Sequence, residues 1–244
     1  YHDQLGRFTY ASGEGGGVTD KLDKPDVVKS GVMATMPAKS VERIKQYTGH
    51  TPLDLTNRLA ERSGVALSLK RAITRDGEAD LEWVIRDPKE GKIIGELGRN
   101  FTSDGKHVVH QILELDREYR NTGIARQLLK NQLDLYLDQG VKSIQVDAGL
   151  SAGGYVWAKY GFGLNPDRTD MVTLKNTIKA NLIGAGATME QKDKVMEALS
   201  HYETDRTVLW KIADMNDPTG HYEDAKVPLG KAALMNTQWS GSLW

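Results

Sequence analysis

The sequence predicts a mixed fold: a mostly antiparallel sheet with flanking helices, α+β in its first half and α/β in its centre. Three observations predict it. Four β-like runs are separated by hairpin turn signals. The pattern then switches to strand, helix, strand, helix between residues 107 and 160. A stretch from about 166 to 215 carries helical periodicity throughout and reads as a helical insertion near the C-terminus.

The elements follow in order. Residues 1–31 read as a flexible tail or linker, because Gly13-Glu14-Gly15-Gly16-Gly17 is a spacer and a charged stretch with Pro25 comes next. Residues 32–244 read as one domain. Pro37–Tyr47 is a first helix. Thr51-Pro52-Leu53-Asp54 starts a second, with Thr51 as N-cap and Pro52 at the first helical position, and Ser63-Gly64 ends it. The extended runs are Ala66–Arg75, Asp80–Asp87, Lys92–Phe101 and His107–Leu115, separated by Asp76-Gly77, Glu90-Gly91 and Asp104-Gly105. Ile124–Gln139 is a helix ended by Gly140, with Leu128, Leu129, Leu133, Tyr136 and Leu137 on its buried side. Ser143–Asp147 is a short strand, and Gly153–Tyr160 a short helix leading to Gly161-Phe162. In the insertion, Leu174, Ile178 and Leu182 recur at helical spacing. Thr188-Met189-Glu190-Gln191 is a capping box before Val195, Met196 and Leu199, and Val208, Leu209, Ile212 and Met215 mark another helix. The tail with Trp239 and Trp244 supplies a last strand. The five tryptophans (83, 157, 210, 239 and 244) read as core.

Composition narrows the function classes. The 244 residues are 39% hydrophobic and 27% charged, ordinary for a globular protein. A net charge of −1 gives no global attraction to nucleic acid or acidic membranes, although Arg117, Arg120, Arg126 and Lys130 form a local basic cluster. There is no cysteine, which excludes disulfides, thiolate nucleophiles and cysteine-bound metals. No metal site is expected. No apolar run is long enough to span a membrane and no signal peptide is visible, so a cytoplasmic location is expected. Beginning at Tyr1 rather than Met, the chain reads as a fragment or processed product. Phosphate-binding Gly-x-x-x-x-Gly-Lys-Ser/Thr and His-Glu-x-x-His motifs are missing.

The stretch richest in chemistry is Arg120-Asn121-Thr122-Gly123-Ile124-Ala125. It lies between a strand and a long helix. The N–H groups of a helix's first turn have no intrahelical partner, and the helix dipole adds positive potential, so this turn suits a pyrophosphate. Downstream stands Trp157-Ala158-Lys159-Tyr160-Gly161-Phe162. Histidines 107 and 110 are three apart on one strand, so alternation puts them on opposite faces, which is poor metal spacing. They read as satisfied surface or core histidines. Gln111 can orient a substrate but cannot act as a base.

Together the two motifs resemble the GNAT superfamily of acetyl-CoA-dependent N-acetyltransferases. The first is similar to that family's Arg/Gln-x-x-Gly-x-Gly/Ala signature at Arg120, Gly123 and Ala125; the second to its Tyr/Trp-x-x-x-Gly-Phe ending. The resemblance covers about residues 90–165. It implies a GNAT-like fold, acetyl-CoA as cosubstrate and direct acetyl transfer to an amine acceptor, protein or small molecule. Carried over, Asn121, Thr122, Gly123, Ile124, Ala125 and Arg126 hold the pyrophosphate, with Arg120 adding charge. The backbones of Leu113 and Leu115 pair with the pantetheine arm, and a backbone N–H near Leu115 polarises the thioester. Trp157 lines the acyl group. Glu114 is the candidate base. Trp157 stands where the family often has a tyrosine acid, which leaves Tyr155 or Tyr160 for that role. The alternative is a non-catalytic GNAT-like interaction module. A short likeness of Asp3-Gln4-Leu5-Gly6-Arg7-Phe8 to linkers of tailed-phage structural proteins adds the expectation of a phage polypeptide, host-directed or virion-associated.

Overall fold

The computed structural model describes residues 33, 35–75, 77–149, 152–222 and 225–243. The expected tail at 1–31, Asp76 of the first turn signal and Trp244 lie outside these. The described chain falls into two compact units, one running to Ile144 and the other starting at Gln145. The fold class is the expected one, mixed α+β with mostly antiparallel strand pairing and flanking helices.

The first unit opens with α1 (Ala38–Thr48) and α2 (Pro52–Ala60). Thr51 caps α2, its hydroxyl accepting from the Asp54 N–H at 3.2 Å. The helix stops at Ala60, short of the expected Ser63-Gly64, although Gly64 does take a left-handed φ of 74° in the turn that follows. Strands β1 (Ala66–Arg75), β2 (Glu78–Arg86), β3 (Ile93–Thr102) and β4 (His107–Leu115) then form an antiparallel meander. One face of the meander is apolar. It buries Leu67, Leu69, Leu81, Trp83, Leu97 and Phe101. Leu55 and Leu59 of α2 are buried with them, and the Trp83 indole donates to Thr56 Oγ1 at 2.8 Å. That hydrogen bond satisfies the one polar atom the indole carries inward.

Helix α3 (Ile124–Gln139) matches the expected range and ends on Gly140, left-handed at φ 67°. Its buried stripe differs from the expected one. Leu128, Leu129 and Tyr136 are buried, but Gln132 and Leu135 join them, whereas Leu137 is 65% exposed. Spacings of three and four from Leu128 lead to Gln132, Leu135 and Tyr136, and Leu137 falls past that stripe. Asn131 of α3 donates to the Leu59 carbonyl at 2.9 Å, tying the helix to the end of α2. Strand β5 (Ser143–Ala148) starts beside the beginning of β4. There the N–H groups of Lys142 and Ser143 both donate to the Lys106 carbonyl.

The second unit holds the rest of β5, α4 (Gly153–Lys159), β6 (Gly163–Leu164), α5 (Met171–Gly184), α6 (Met189–Ser200), α7 (Val208–Ala213), the hairpin β7 (Pro218–Tyr222) and β8 (Ala225–Pro228), α8 (Leu229–Leu234) and β9 (Trp239–Leu243). Three helices, α5 to α7, lie in the stretch 166–215, and β9 is the expected last strand, pairing antiparallel with β6. Leu174, Ile178 and Leu182 of α5 are fully buried, as are Val195 and Leu199 of α6. The capping box is formed: Thr188 and Gln191 satisfy each other's backbone N–H groups. Asn181 donates to the carbonyls of Ala233 and Met235, holding α5 against the end of α8. No described helix is long and apolar enough to cross a membrane.

Candidate functional site

The site is built where β4 hands over to α3. A register shift divides the β3–β4 pairing: Gly98 faces Ile112, but Arg99 faces His110, so Gln111 is an extra residue on β4. This bulge reverses the alternation of side chains along β4. Before it, Val108 and His110 are buried and His107 is exposed, as expected of two histidines on opposite faces. Beyond it, Leu115 is buried and Glu114 is exposed. Without the extra residue, Glu114 would share a face with Val108 and His110 and point into the core.

The ladder also aims the backbone. Asp116 N–H donates to the Ile94 carbonyl at 2.8 Å. Pairs in an antiparallel ladder alternate between hydrogen-bonded and not. Leu113 and Leu115 therefore turn their N–H and C=O groups away from β3, off the other edge of β4. Close approach of β3 and β4 here depends on glycine: a Cβ at Gly95 would collide with the Glu114 carbonyl.

Glu114 lies directly opposite Glu96. Two like charges facing across a ladder repel. Each has a cation. Lys70 Nζ donates to Glu96 at 2.7 Å, and this contact holds the lysine pKa above its ordinary value. Arg120 Nη2 lies 3.8 Å from Glu114, while its Nε donates to the Leu115 carbonyl at 2.9 Å. Arg120 therefore folds back onto the end of β4.

A one-turn 3-10 segment, Arg117–Tyr119, leads from the strand to the loop. Lys92 Nζ donates to Glu118 at 2.5 Å and holds this turn to the start of β3. In the loop, Asn121 takes φ 65° and Gly123 takes φ 91°. The left-handed conformation at Gly123 is costly for any residue with a Cβ, which is the physical reason for glycine there. The Thr122 hydroxyl donates to the Tyr119 carbonyl at 2.7 Å, so it is turned away from the helix. Gly123 stands at the N-cap position of α3, and no described side chain caps that end. Nothing lies within 4 Å of where a Gly123 Cβ would be. The first-turn N–H groups of Ile124, Ala125 and Arg126 thus lie at an exposed loop that carries Arg120 and Arg126.

No family model and no curated protein matches the chain. Among solved structures, a GNAT family acetyltransferase from Elizabethkingia anophelis with acetyl-CoA bound is similar at 18% identity over 42% of this chain and 78% of that one, with a TM-score of 0.32. An acetyltransferase from Bacillus cereus is similar at 23% identity and a TM-score of 0.31, over 38% of this chain. The chain spans 66% of the length of that protein, under two thirds. At these identities and TM-scores neither family membership nor activity follows from the likeness.

Of the residues expected in a GNAT site, the first unit brings together Leu113, Glu114, Leu115, Arg120, Asn121, Thr122, Gly123, Ile124, Ala125 and Arg126. The other three belong to the second unit. Tyr155 lies on α4 and Tyr160 at its C-cap, both partly exposed. Trp157 is buried, its ring edge-to-face with Phe162 at 5.1 Å between centroids. Glu96 and the bulge were not expected. Their signal was present in Gly95 and Gly98, because isolated glycines in a strand pattern mark a bulge or a close backbone approach.

Proposed function

We propose that this chain binds acetyl-CoA at the start of α3 and transfers its acetyl group directly to an amine. The observation that carries the reading is the loop: an uncapped helix start behind a left-handed Gly123 with open space in front of it. That arrangement fits a pyrophosphate, held by the amides from Asn121 to Arg126. Arg126 contributes charge, and Arg120 does so as far as its bond to the Leu115 carbonyl allows. The outward backbone groups of Leu113 and Leu115 receive the pantetheine amides in the manner of an added strand.

An amine attacks only when neutral, so a group must take its proton. Glu114, exposed on the face opposite the core, is assigned that role, directly or through one water. The N–H near Leu115 polarises the thioester carbonyl. The bond formed is between the acceptor nitrogen and the acetyl carbon; the bond broken is carbon–sulfur, and the leaving thiolate takes a proton from a general acid, the role for which Tyr155 and Tyr160 are the candidates by sequence. Trp157, packed on Phe162, supplies no acid in this reading, since an indole has no useful acidic proton.

Thermal unfolding with and without acetyl-CoA tests the proposal. At about 100 times its dissociation constant a ligand adds roughly 2.7 kcal/mol of stability. No shift at millimolar acetyl-CoA contradicts the proposal. A shift without acetyl transfer to any of a panel of amines leaves a CoA-binding interaction module in its place.

A further inference from the structure

The face of the β3–β4 pair that packs on α3 contains a guanidinium without a counter-ion. Arg99 is fully buried. Among the described residues no carboxylate pairs with it, and its Nη2 has no hydrogen-bond partner. Burial lowers its pKa to about 10. Its neighbours are polar but uncharged. Tyr136 is pushed up to about 12 by burial, the arginine acting against that rise. His110 is held well below its ordinary value, by burial first and Arg99 second, so it is neutral at neutral pH and bonds to the Tyr136 hydroxyl at 3.1 Å. A buried charge without an ion-pair partner is a poor device for stability, since an apolar side chain of similar size avoids the desolvation cost.

What Arg99 touches suggests its use. Nη1 donates to two carbonyls, Gly98 on β3 at 2.5 Å and Ile112 on β4 at 2.7 Å. These are the paired residues at which the bulge begins. Nε donates to Gln132 Oε1 of α3 at 2.6 Å, and Gln132 in turn donates to the Leu128 carbonyl one turn back at 2.8 Å. One planar fork therefore joins both strands at the bulge to the helix that begins with the phosphate loop. A guanidinium is suited to this, because its donors are fixed in one plane and cannot adjust separately.

We propose that Arg99 is a positioning residue that pins the β4 bulge to α3. The bulge puts Glu114 on the open face and Leu113 and Leu115 on their outward register. Gln132 transmits the same constraint to the loop helix. Arg99 thereby sets the acyl-accepting strand and the phosphate loop in one frame without touching either substrate. The inference rests on the acyl-transfer reading for its ligand readout only.

The test uses the full chain and Arg99→Met, which keeps an unbranched stem and removes the charge. Three quantities are read: melting temperature, amide hydrogen exchange by peptide, and acetyl-CoA affinity by calorimetry. The melting temperature is expected to hold or rise. Exchange across residues 109–115 is expected to quicken about tenfold with β2 unchanged, the scale of losing one or two charged hydrogen bonds. Acetyl-CoA affinity is expected to weaken by a similar factor of about ten. Arg99→Lys, which retains a charge but not the fork, is expected to fall between. Unchanged exchange at 109–115 in a folded Arg99→Met overturns the proposal whatever the ligand does. If the unaltered chain binds no acetyl-CoA, the acyl-transfer reading fails, and the exchange result still decides the role of Arg99. If Arg99→Met does not fold, Gln132→Leu cuts only the tie to α3. Faster exchange at 120–127 then supports the proposal, and unchanged exchange overturns it.

Discussion

The two helices α3 and α6 begin in opposite ways. At α6, Thr188 and Gln191 satisfy each other's backbone donors, and the helix start is closed by its own side chains. At α3, the longest described helix, a left-handed glycine stands where a capping side chain would be, and the donors face an exposed loop flanked by arginines. Helix α5 resembles α6, with the Asp170 carboxylate accepting from the N–H groups of Val172 and Thr173. Helices α1, α4, α7 and α8 also lack a side-chain cap, but none of them has a left-handed glycine at its N-cap. An unsatisfied helix start costs stability that a serine or aspartate would supply. In the proposed reading this start, with left-handed Asn121 and Gly123 ahead of it at the end of β4, is the place for a ligand's anion.

The comparison can be broken by substitution. Gly123→Val carries the largest expected effect: a β-branched residue at φ 91° strains the loop and occupies the space in front of it. It should abolish stabilisation by acetyl-CoA in a thermal melt. Glu114→Gln removes the candidate base and leaves the loop alone. It should lower kcat by about a hundredfold, with acetyl-CoA affinity unchanged. A loss of affinity instead would make Glu114 a binding residue. At the closed helix the outcome reverses. Thr188→Ala should cost about 1 kcal/mol of unfolding free energy by denaturant titration and leave acetyl-CoA binding untouched.

The smallest effect concerns pH. The Thr173 hydroxyl, followed by backbone N–H groups, holds the Asp170 carboxyl below its ordinary range. Because its folded-state pKa lies below the unfolded one, its contribution is complete above the usual aspartate range and is lost as pH falls through the folded value. Corrected for intrinsic pH dependence, amide exchange at the start of α5 should therefore rise over that interval. The start of α3, which has no carboxylate cap, should show no such step.

Much of this contrast was legible in the residues. Thr188 with Gln191, Thr51 before Pro52, and Gly140 after a periodic run are local signals, and each produced the element it implied. Gly123 was legible for the same reason: chain sterics at one position decide it. Non-local features were not. Gln132 is polar and Leu137 apolar, so periodicity of hydrophobicity chose the leucine. The helix buries the glutamine instead, because Arg99 on another strand supplies its partner. The bulge at Gln111 depends on the pairing of two strands, and a single run of alternating residues does not reveal it. Glu96 opposite Glu114 is likewise a matter of register. Elements set by a few adjacent residues could be read; those set by a distant partner could not.

Amide hydrogen exchange of the whole chain, with and without saturating acetyl-CoA, tests the central claim most directly. Slowed exchange confined to the peptides covering 113–115 and 121–126, with the start of α6 unchanged, is the expected result. Protection elsewhere, or none at millimolar ligand, would contradict the assignment of α3 as the acetyl-CoA site.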